Sequence, residues 1–174
     1  MTITIRSGGQ SGVDRAALDV ALSEGLPYMG WCPRGGWAED HPSPPGILTL
    51  YPRLIETPSA APEQRTAWNV RDSHATLILI RGDKLTRSPG TQFTRLCAEL
   101  VFLRPCLVAD LSRPEELAVV RHWLSLIASG LSVVEWVLNI AGPRESQAPG
   151  IYAEAKEFLG QLLVTQARAG RARV

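Results

Sequence analysis

The sequence predicts an α/β fold, in which an open, mostly parallel sheet of about five or more strands carries helices on both faces within a single domain. Short runs of apolar and β-branched residues alternate with longer segments of helical apolar periodicity. The run Ala75–Ile80 is almost wholly apolar, as expected of a parallel strand covered on both sides. The 174 residues suit one well-buried core.

The chain opens with a strand at Thr2–Ile5, a turn at Ser7–Gly12 that contains three glycines, and a helix from Val13. The first amides of a helix lack carbonyl partners and carry the positive end of the helix dipole, so they favour an anion. We therefore predict an anion-binding turn in which Gln10 and Ser11 add hydrogen bonds. The alternative is a tight turn in which Ser11 only caps the helix.

The next segments are a strand at 28–31 and a long passage rich in proline and glycine at 33–62. We expect a brief edge strand at Ile47–Leu50. The first half of the passage, with Arg34, is assigned to the site because a loop of this length in a compact domain is often functional. A helix at 62–73 has one polar face, which is either solvated or turned toward a ligand.

A second helix start rich in glycine and hydroxyl groups follows strand Ala75–Ile80, at Ser88–Thr94. It is also suited to an anion. Beyond it the pattern predicts a strand at 105–109, a helix opened by a capping box at Ser112–Glu115, and a fifth strand at Val133–Ile140. A last amphipathic helix closes the domain.

Parallel strands connected in this way place their loops along one edge of the sheet, and ligands bind there, where the strand order reverses. We therefore expect three segments to converge: Gly8–Gly12, Gly90–Thr94 and Asn139–Arg144. The predicted ligand-binding residues, in which Arg34 joins these segments, are Gly8, Gly9, Gln10, Ser11, Gly12, Asp14, Arg34, Gly90, Thr91, Thr94, Asn139, Gly142 and Arg144.

Composition narrows the class of protein. The 18 Lys and Arg nearly balance the 17 Asp and Glu, which argues against nucleic acid or an acidic membrane as partner. The three cysteines show neither metal-ligand spacing nor a disulfide framework, so we expect a cytoplasmic protein without a structural metal. Residues 1–165 are assigned to the ligand-binding domain and 166–174 to a basic, solvated tail. Apolar residues in excess of one sheet face predict a homo-oligomer, a dimer or tetramer: Trp123, Leu124, Ile127 and Trp136.

Several segments, in order along nearly the whole chain, match the motifs of a known family: 8–16, 30–33, 38–40, 65–66 with 69–73, 90–91 with Thr94, and 139–146. In these segments the chain resembles the molybdenum-cofactor carrier proteins. The resemblance implies a Rossmann-like fold, related to the LOG-type, lysine-decarboxylase-like phosphoribohydrolases and to the DprA-like nucleotide binders. It also implies a cytosolic, oligomeric carrier that holds molybdenum cofactor, a phosphorylated pterin dithiolene, with its phosphate at a glycine-rich turn.

One departure from the related phosphoribohydrolases bears on catalysis. Their Pro-Gly-Gly-x-Gly-Thr-x-x-Glu signature ends in a glutamate that takes part in N-glycosidic cleavage, and Thr94 stands at that position here. Loss of the carboxylate favours binding without hydrolysis. Two alternatives stay open: a nucleotide N-glycosidic hydrolase in which Glu39 or Asp40 replaces the glutamate, and a nucleotide-sensing domain. The ligand is accordingly molybdenum cofactor or a nucleotide.

Overall fold

The computed structural model of the chain describes residues 2–82 and 88–171, with side chains described as far as residue 164. Within these residues six strands form one parallel sheet, so the predicted α/β class is confirmed. The strands are β1 (Thr2–Arg6), β2 (Tyr28–Cys32), β3 (Leu54–Glu56), β4 (Ala75–Ile80), β5 (Cys106–Asp110) and β6 (Glu135–Ala141).

Helices cover both faces of the sheet. Helices α1, α4 and α5 pack together on one face, while α2 and α3 pack together on the other. Their bounds are α1 (Val13–Glu24), α2 (Pro62–Arg71), α3 (Pro89–Leu96), α4 (Glu116–Gly130) and α5 (Ile151–Arg171), and a single π-helical turn, Cys97–Val101, follows α3. The predicted tail therefore overlaps the end of α5, and its side chains lie outside the described residues.

The last strand lies in the middle of the sheet. The order is β3-β2-β1-β6-β4-β5, and β6 pairs with β1 from Thr2↔Glu135 to Arg6↔Asn139. The chain thus runs outward from β1 to β3, crosses to β4 and β5, and returns between the two halves. If β6 preceded β1 in the sequence, the order would be that of an ordinary doubly wound sheet. The carboxyl ends of β1, β4 and β6 consequently meet where the strand order reverses.

The edge strand is not where the sequence pattern placed it. Residues Gly46–Thr49 form a 3-10 helix, and the edge strand is β3, which pairs with β2 through Gly30↔Leu54. Only Ile47 of the predicted strand is fully buried, while Leu50 is half exposed. A single inward residue suits one turn of helix better than a paired strand. The prediction of a strand at Ile47–Leu50 was therefore wrong.

Two further boundaries also differ. Helix α4 begins at Glu116 without a side-chain cap, because the Ser112 hydroxyl donates to Asp110 Oδ1 at 2.8 Å and is not available for a capping box. Strand β6 begins at Glu135, two residues later than the pattern predicted, although the Val134 carbonyl still accepts from the Thr2 N–H of β1 at 2.9 Å.

The four apolar residues on which the prediction of self-association rests pack largely inside the domain. Leu124 and Trp136 are buried in the core, and Trp123 and Ile127 pack against it partly buried. Among the described residues, no helix combines the length and apolarity that crossing a membrane requires.

Candidate functional site

A pocket of about 370 Å³ opens at the carboxyl edge of the sheet, where the strand order reverses. It is bounded by the turn after β1, the first turns of α2 and α3, and the segment after β6. Its lining includes nine of the predicted site residues together with six polar residues that were not predicted: Gly8, Gln10, Asp14, Gly90, Thr91, Thr94, Asn139, Gly142 and Arg144, with Glu63, Arg65, Thr66, Asn69, Ser88 and Gln147. The three predicted segments therefore converge.

The glycines of the first turn have different neighbours. Gly8 lines the pocket, whereas a Cβ on Gly9 would lie 2.8 Å from Leu54 Cδ1 in the core. Gly12 has φ +73° and lies against the Pro143 carbonyl, where a side chain would overlap the backbone. Gly9 and Gly12 thus allow close packing, and Gly8 alone of the three faces the pocket.

Groups of the protein already occupy the positive end of α1. The Val13 N–H donates to the Pro143 carbonyl at 3.3 Å, and the Ser11 N–H donates to Gln10 Oε1 at 3.1 Å. The Asp14 carboxylate, buried in the first turn of the helix, accepts a backbone hydrogen bond from Gln10. A side-chain carboxylate therefore lies where the sequence pattern suggested a ligand phosphate.

At the start of α3, two backbone donors have no partner among the described residues. Pro89 has no N–H, and the Gln92 N–H is paired with the Ser88 carbonyl, which leaves the Gly90 and Thr91 amides without partners inside the helix. The Ser88 and Thr91 hydroxyls lie 2.7 Å apart, and Ser88 Oγ donates to Gln147 Oε1 at 3.0 Å. The Thr91 hydroxyl therefore donates to Ser88 Oγ, and the two amides beside it at the helix N-terminus form a site suited to an oxyanion.

Two guanidinium groups and two carboxylates line the same pocket. Arg65 Nη1 donates to Asp14 Oδ2 at 2.8 Å, and Glu63 lies two residues before Arg65 in α2. Arg144 lies over the Trp37 ring, with its guanidinium carbon 5.2 Å from the ring centroid. Burial raises the pKa of Asp14, and Arg65, the Gln10 hydrogen bond and Arg144 act in the opposite direction. The pocket is polar and close to neutral overall.

Asn139 and Gly142 take different parts in the wall. Asn139 Nδ2 donates weakly to Thr76 Oγ1 at 3.4 Å, which holds its side chain at the pocket floor. A Cβ on Gly142 would overlap the Leu79 carbonyl and press on Val13, so this glycine lets β4, β6 and α1 approach each other.

The polar face of α2 is buried, not solvated. The Asn69 side chain accepts from the N–H of Trp31 at 2.8 Å and donates to the carbonyl of Trp31 at 2.9 Å.

The structure separates four predicted residues from this pocket, namely Arg34, Ser11, Gly12 and Gly9, the last of which packs against Leu54. Arg34 is exposed, with its backbone N–H bonded to the Ser59 carbonyl at 3.0 Å, and it lines neither described cavity. Ser11 and Gly12 face a second groove, beside α1 and the start of α5. That groove also contains the carboxylates of Glu39 and Asp40, the two groups considered as replacements for a catalytic glutamate.

Glu39 joins loops of the protein. It accepts hydrogen bonds from the Ser11 hydroxyl and from the N–H and hydroxyl of Ser146, the last at 2.6 Å. Partial burial tends to raise the pKa of Glu39, but these hydrogen bonds outweigh it and hold the pKa below its usual value. Asp40 forms a two-pronged pair with Arg15, at 2.9 and 3.0 Å. Both carboxylates are thus engaged within the second groove.

Sequence reasoning missed the contribution of Arg65, Ser88 and Gln147 to the site. Arg65 belonged to a helix whose polar face had two equally good interpretations, and only burial against Asp14 distinguishes them. Ser88 precedes the glycine start of α3, a position that is common for a simple helix cap. Gln147 lies in a loop without periodicity, so no local signal was available.

The cysteines are poorly placed for reactions. Burial raises the pKa of Cys32 to about 11, with a further contribution from Glu56, and burial likewise raises the pKa of Cys106 to about 11. We expect native protein at pH 8 to react far more slowly with a thiol-specific disulfide reagent than urea-unfolded protein, because the thiolate is the nucleophile. The native rate should rise about tenfold per pH unit between pH 8 and 10. Fast labelling at pH 8 would contradict this.

The parallel sheet with β6 at its centre and the polar pocket at its carboxyl edge define a Rossmann-like protein of permuted connectivity. The model of the circularly permutated YpsA SLOG family matches residues 5–163, and the chain belongs to that family. The chain has 37% sequence identity with a protein of known crystal structure from Syntrophus aciditrophicus SB, named "Putative molybdenum carrier protein". The similarity covers 93% of this chain and 95% of that one, with a TM-score of 0.78. No protein with a curated description matches the chain.

Proposed function

We propose that this protein binds and carries a phosphorylated small molecule, either molybdenum cofactor or a nucleotide-like ligand. The observation that carries the proposal is the open start of α3, where amides and hydroxyls gather in a pocket of about 370 Å³. The name of the Syntrophus structure and the SLOG family membership both support a ligand-binding role.

The phosphate is assigned to the start of α3. The Gly90 and Thr91 amides point along the helix dipole toward it, and the Thr91 hydroxyl, 2.7 Å from Ser88 Oγ, turns away from Ser88 to donate to the ligand. Arg144, on the loop after β6, lies on the pocket wall and offers a compensating charge. A phosphate monoester would thus receive donors from the helix and a cation from the loop.

The remaining pocket suits a polar ring. The volume of the whole pocket, about 370 Å³, lies at the lower end of the range of about 300–1,000 Å³ found for small-molecule sites. Asp14, Arg65 and Asn139 supply both donors and acceptors away from α3. A pterin or a nucleobase joined to a phosphate has this combination of an anionic end and a ring with polar edges.

We propose binding without hydrolysis. Thr94 Oγ1 donates to the Gly90 carbonyl at 3.0 Å and has no acidic proton to offer, and Glu39 and Asp40 lie in the second groove. The same proposal includes a cytoplasmic location and a homo-oligomer, a dimer or tetramer, without a nucleic-acid or membrane partner. Support for an oligomer now comes from apolar residues after α3, since Leu100 is 73% and Leu103 78% exposed.

Replacement of Thr91 by valine tests the phosphate site. Thr91→Val keeps the shape but removes one hydroxyl, and we expect affinity to fall about tenfold or more because hydrogen bonds to charged groups are worth about 1.5–3 kcal/mol. Isothermal titration with GMP, AMP and anaerobically prepared molybdenum cofactor measures the change. Chromatography of the same nucleotide mixtures should show no release of free base.

Thr49→Val is the matched control, because that hydroxyl only donates to the Gly46 carbonyl in the 3-10 helix. It should leave ligand affinity within twofold of wild type. Failure of all three ligands to bind wild-type protein, or equal affinities for Thr91→Val and wild type, would reject the proposed function.

A further inference from the structure

Arg65 and Asp14 form a buried ion pair on the wall of the pocket. Their side chains are only 13% and 6% exposed. The pair spans the backbone of Gly8, where a Cβ would overlap Arg65 Nη1 and lie 2.9 Å from Asp14 Oδ2. The absence of a side chain at residue 8 therefore brings a guanidinium from α2 against a carboxylate from α1, at the inner surface of the pocket.

Both members of the pair have hydrogen-bonding capacity left. Arg65 uses Nη1 for Asp14, and its Nη2 makes no hydrogen bond within the described residues and is not buried. Asp14 accepts from Arg65 and from the Gln10 backbone, and a carboxylate has about four acceptor positions. Both residues line the pocket, so an accessible donor and an acceptor lie side by side where a ligand can bind to them.

The charge of the pair restricts which ligand group fits. The two charges cancel, so the pair offers little attraction for a second phosphate. It suits a neutral group that carries an acceptor next to a donor. The lactam edge of a ring, a carbonyl beside an N–H, has this pattern, and guanine, hypoxanthine and pterin rings all possess it. Adenine presents the reverse pattern, an amino donor beside a ring nitrogen acceptor.

We infer that Arg65 and Asp14 recognise the lactam edge of an oxo-purine or pterin ring, with Arg65 donating to the ring carbonyl and Asp14 accepting from the adjacent N–H. This inference rests on the proposed function and names the class of ligand for the same pocket. The phosphate binds at the start of α3, and the edge of the ring binds where Asp14 of α1 meets Arg65 of α2.

The test compares nucleotides that differ only in this edge. Wild-type protein, titrated calorimetrically with GMP, IMP and AMP, should bind GMP and IMP about tenfold or more tightly than AMP, the discrimination typical of one matched donor and acceptor pair. The double variant Asp14→Leu/Arg65→Met replaces both charges and so avoids a lone buried charge. It should bind AMP within twofold of wild type and lose the preference for GMP and IMP.

Arg71→Met is the matched control, because Arg71 lies on the same helix, pairs with Asp72 and does not line the pocket. It should keep the full preference. Thr91→Val should lower the affinity for all three nucleotides by the same factor. Equal affinities for GMP and AMP in wild type, or an unchanged preference in the double variant, overturn the inference while leaving the phosphate site intact. No binding of any of these nucleotides or of molybdenum cofactor to wild type would instead reject the proposed function, and this inference with it.

Discussion

Arg65→Met alone is expected to lower the free energy of unfolding by about 3–5 kcal/mol, the usual cost of removing one member of a buried ion pair. The Asp14 side chain is 6% exposed in the wild type, and the variant removes its nearest cation. Urea unfolding followed by circular dichroism measures the change. The double variant Asp14→Leu/Arg65→Met should recover most of the loss, because replacing both partners by apolar residues is often neutral.

The loss in Arg65→Met should also depend on pH. Burial already raises the pKa of Asp14, and removal of Arg65 removes the largest opposing influence. A carboxyl group with a raised native pKa stabilises the fold at low pH, and that stability is lost as pH rises through the native pKa. The deficit relative to wild type should therefore be smaller near pH 4 than at pH 7. A deficit below 1 kcal/mol at pH 7 would show that the pair contributes little.

Gly12→Ala is expected to be the most damaging single change in the first turn. Its φ of +73° is strained for any residue with a Cβ, at a cost of about 1–2 kcal/mol. The added carbon would overlap the Pro143 carbonyl and lie 2.8 Å from the Glu145 N–H. The loop that carries Arg144 must shift, so we expect a loss of several kcal/mol in stability, together with weaker GMP binding.

Gly90→Ala is the control, since a Cβ there meets no atom of the described residues within 4 Å and the backbone angle is ordinary. Its free energy of unfolding in urea should equal or slightly exceed that of wild type, as expected when a helical glycine is replaced by alanine. Calorimetry with GMP should show near-normal affinity, because the amide of residue 90 is retained. If Gly12→Ala had the free energy of unfolding of wild type, this would contradict the close approach of the turn after β1 and the loop after β6.

Periodicity was sufficient to predict the strands and helices that form the core. The apolar run at β4 and the stripe of α1 are buried in the structure, and Gly25 ends α1 in the left-handed conformation. Local pattern failed where one residue decided the outcome, as at Ile47, whose burial produces a 3-10 turn and not a strand. Convergence of the three loops followed from the general rule for parallel sheets.

What the sequence determined by itself was the α/β class, its family resemblance and the edge of the sheet at which ligand-binding groups meet, because these depend on repeating patterns and on connectivity. The tertiary structure alone decided which groups face the pocket. Asp14 occupies the positive end of α1 and Arg65 pairs with it, so the open donors are those of α3. Such pairings join residues more than fifty positions apart along the chain, and no local pattern encodes which of several buried charges will meet.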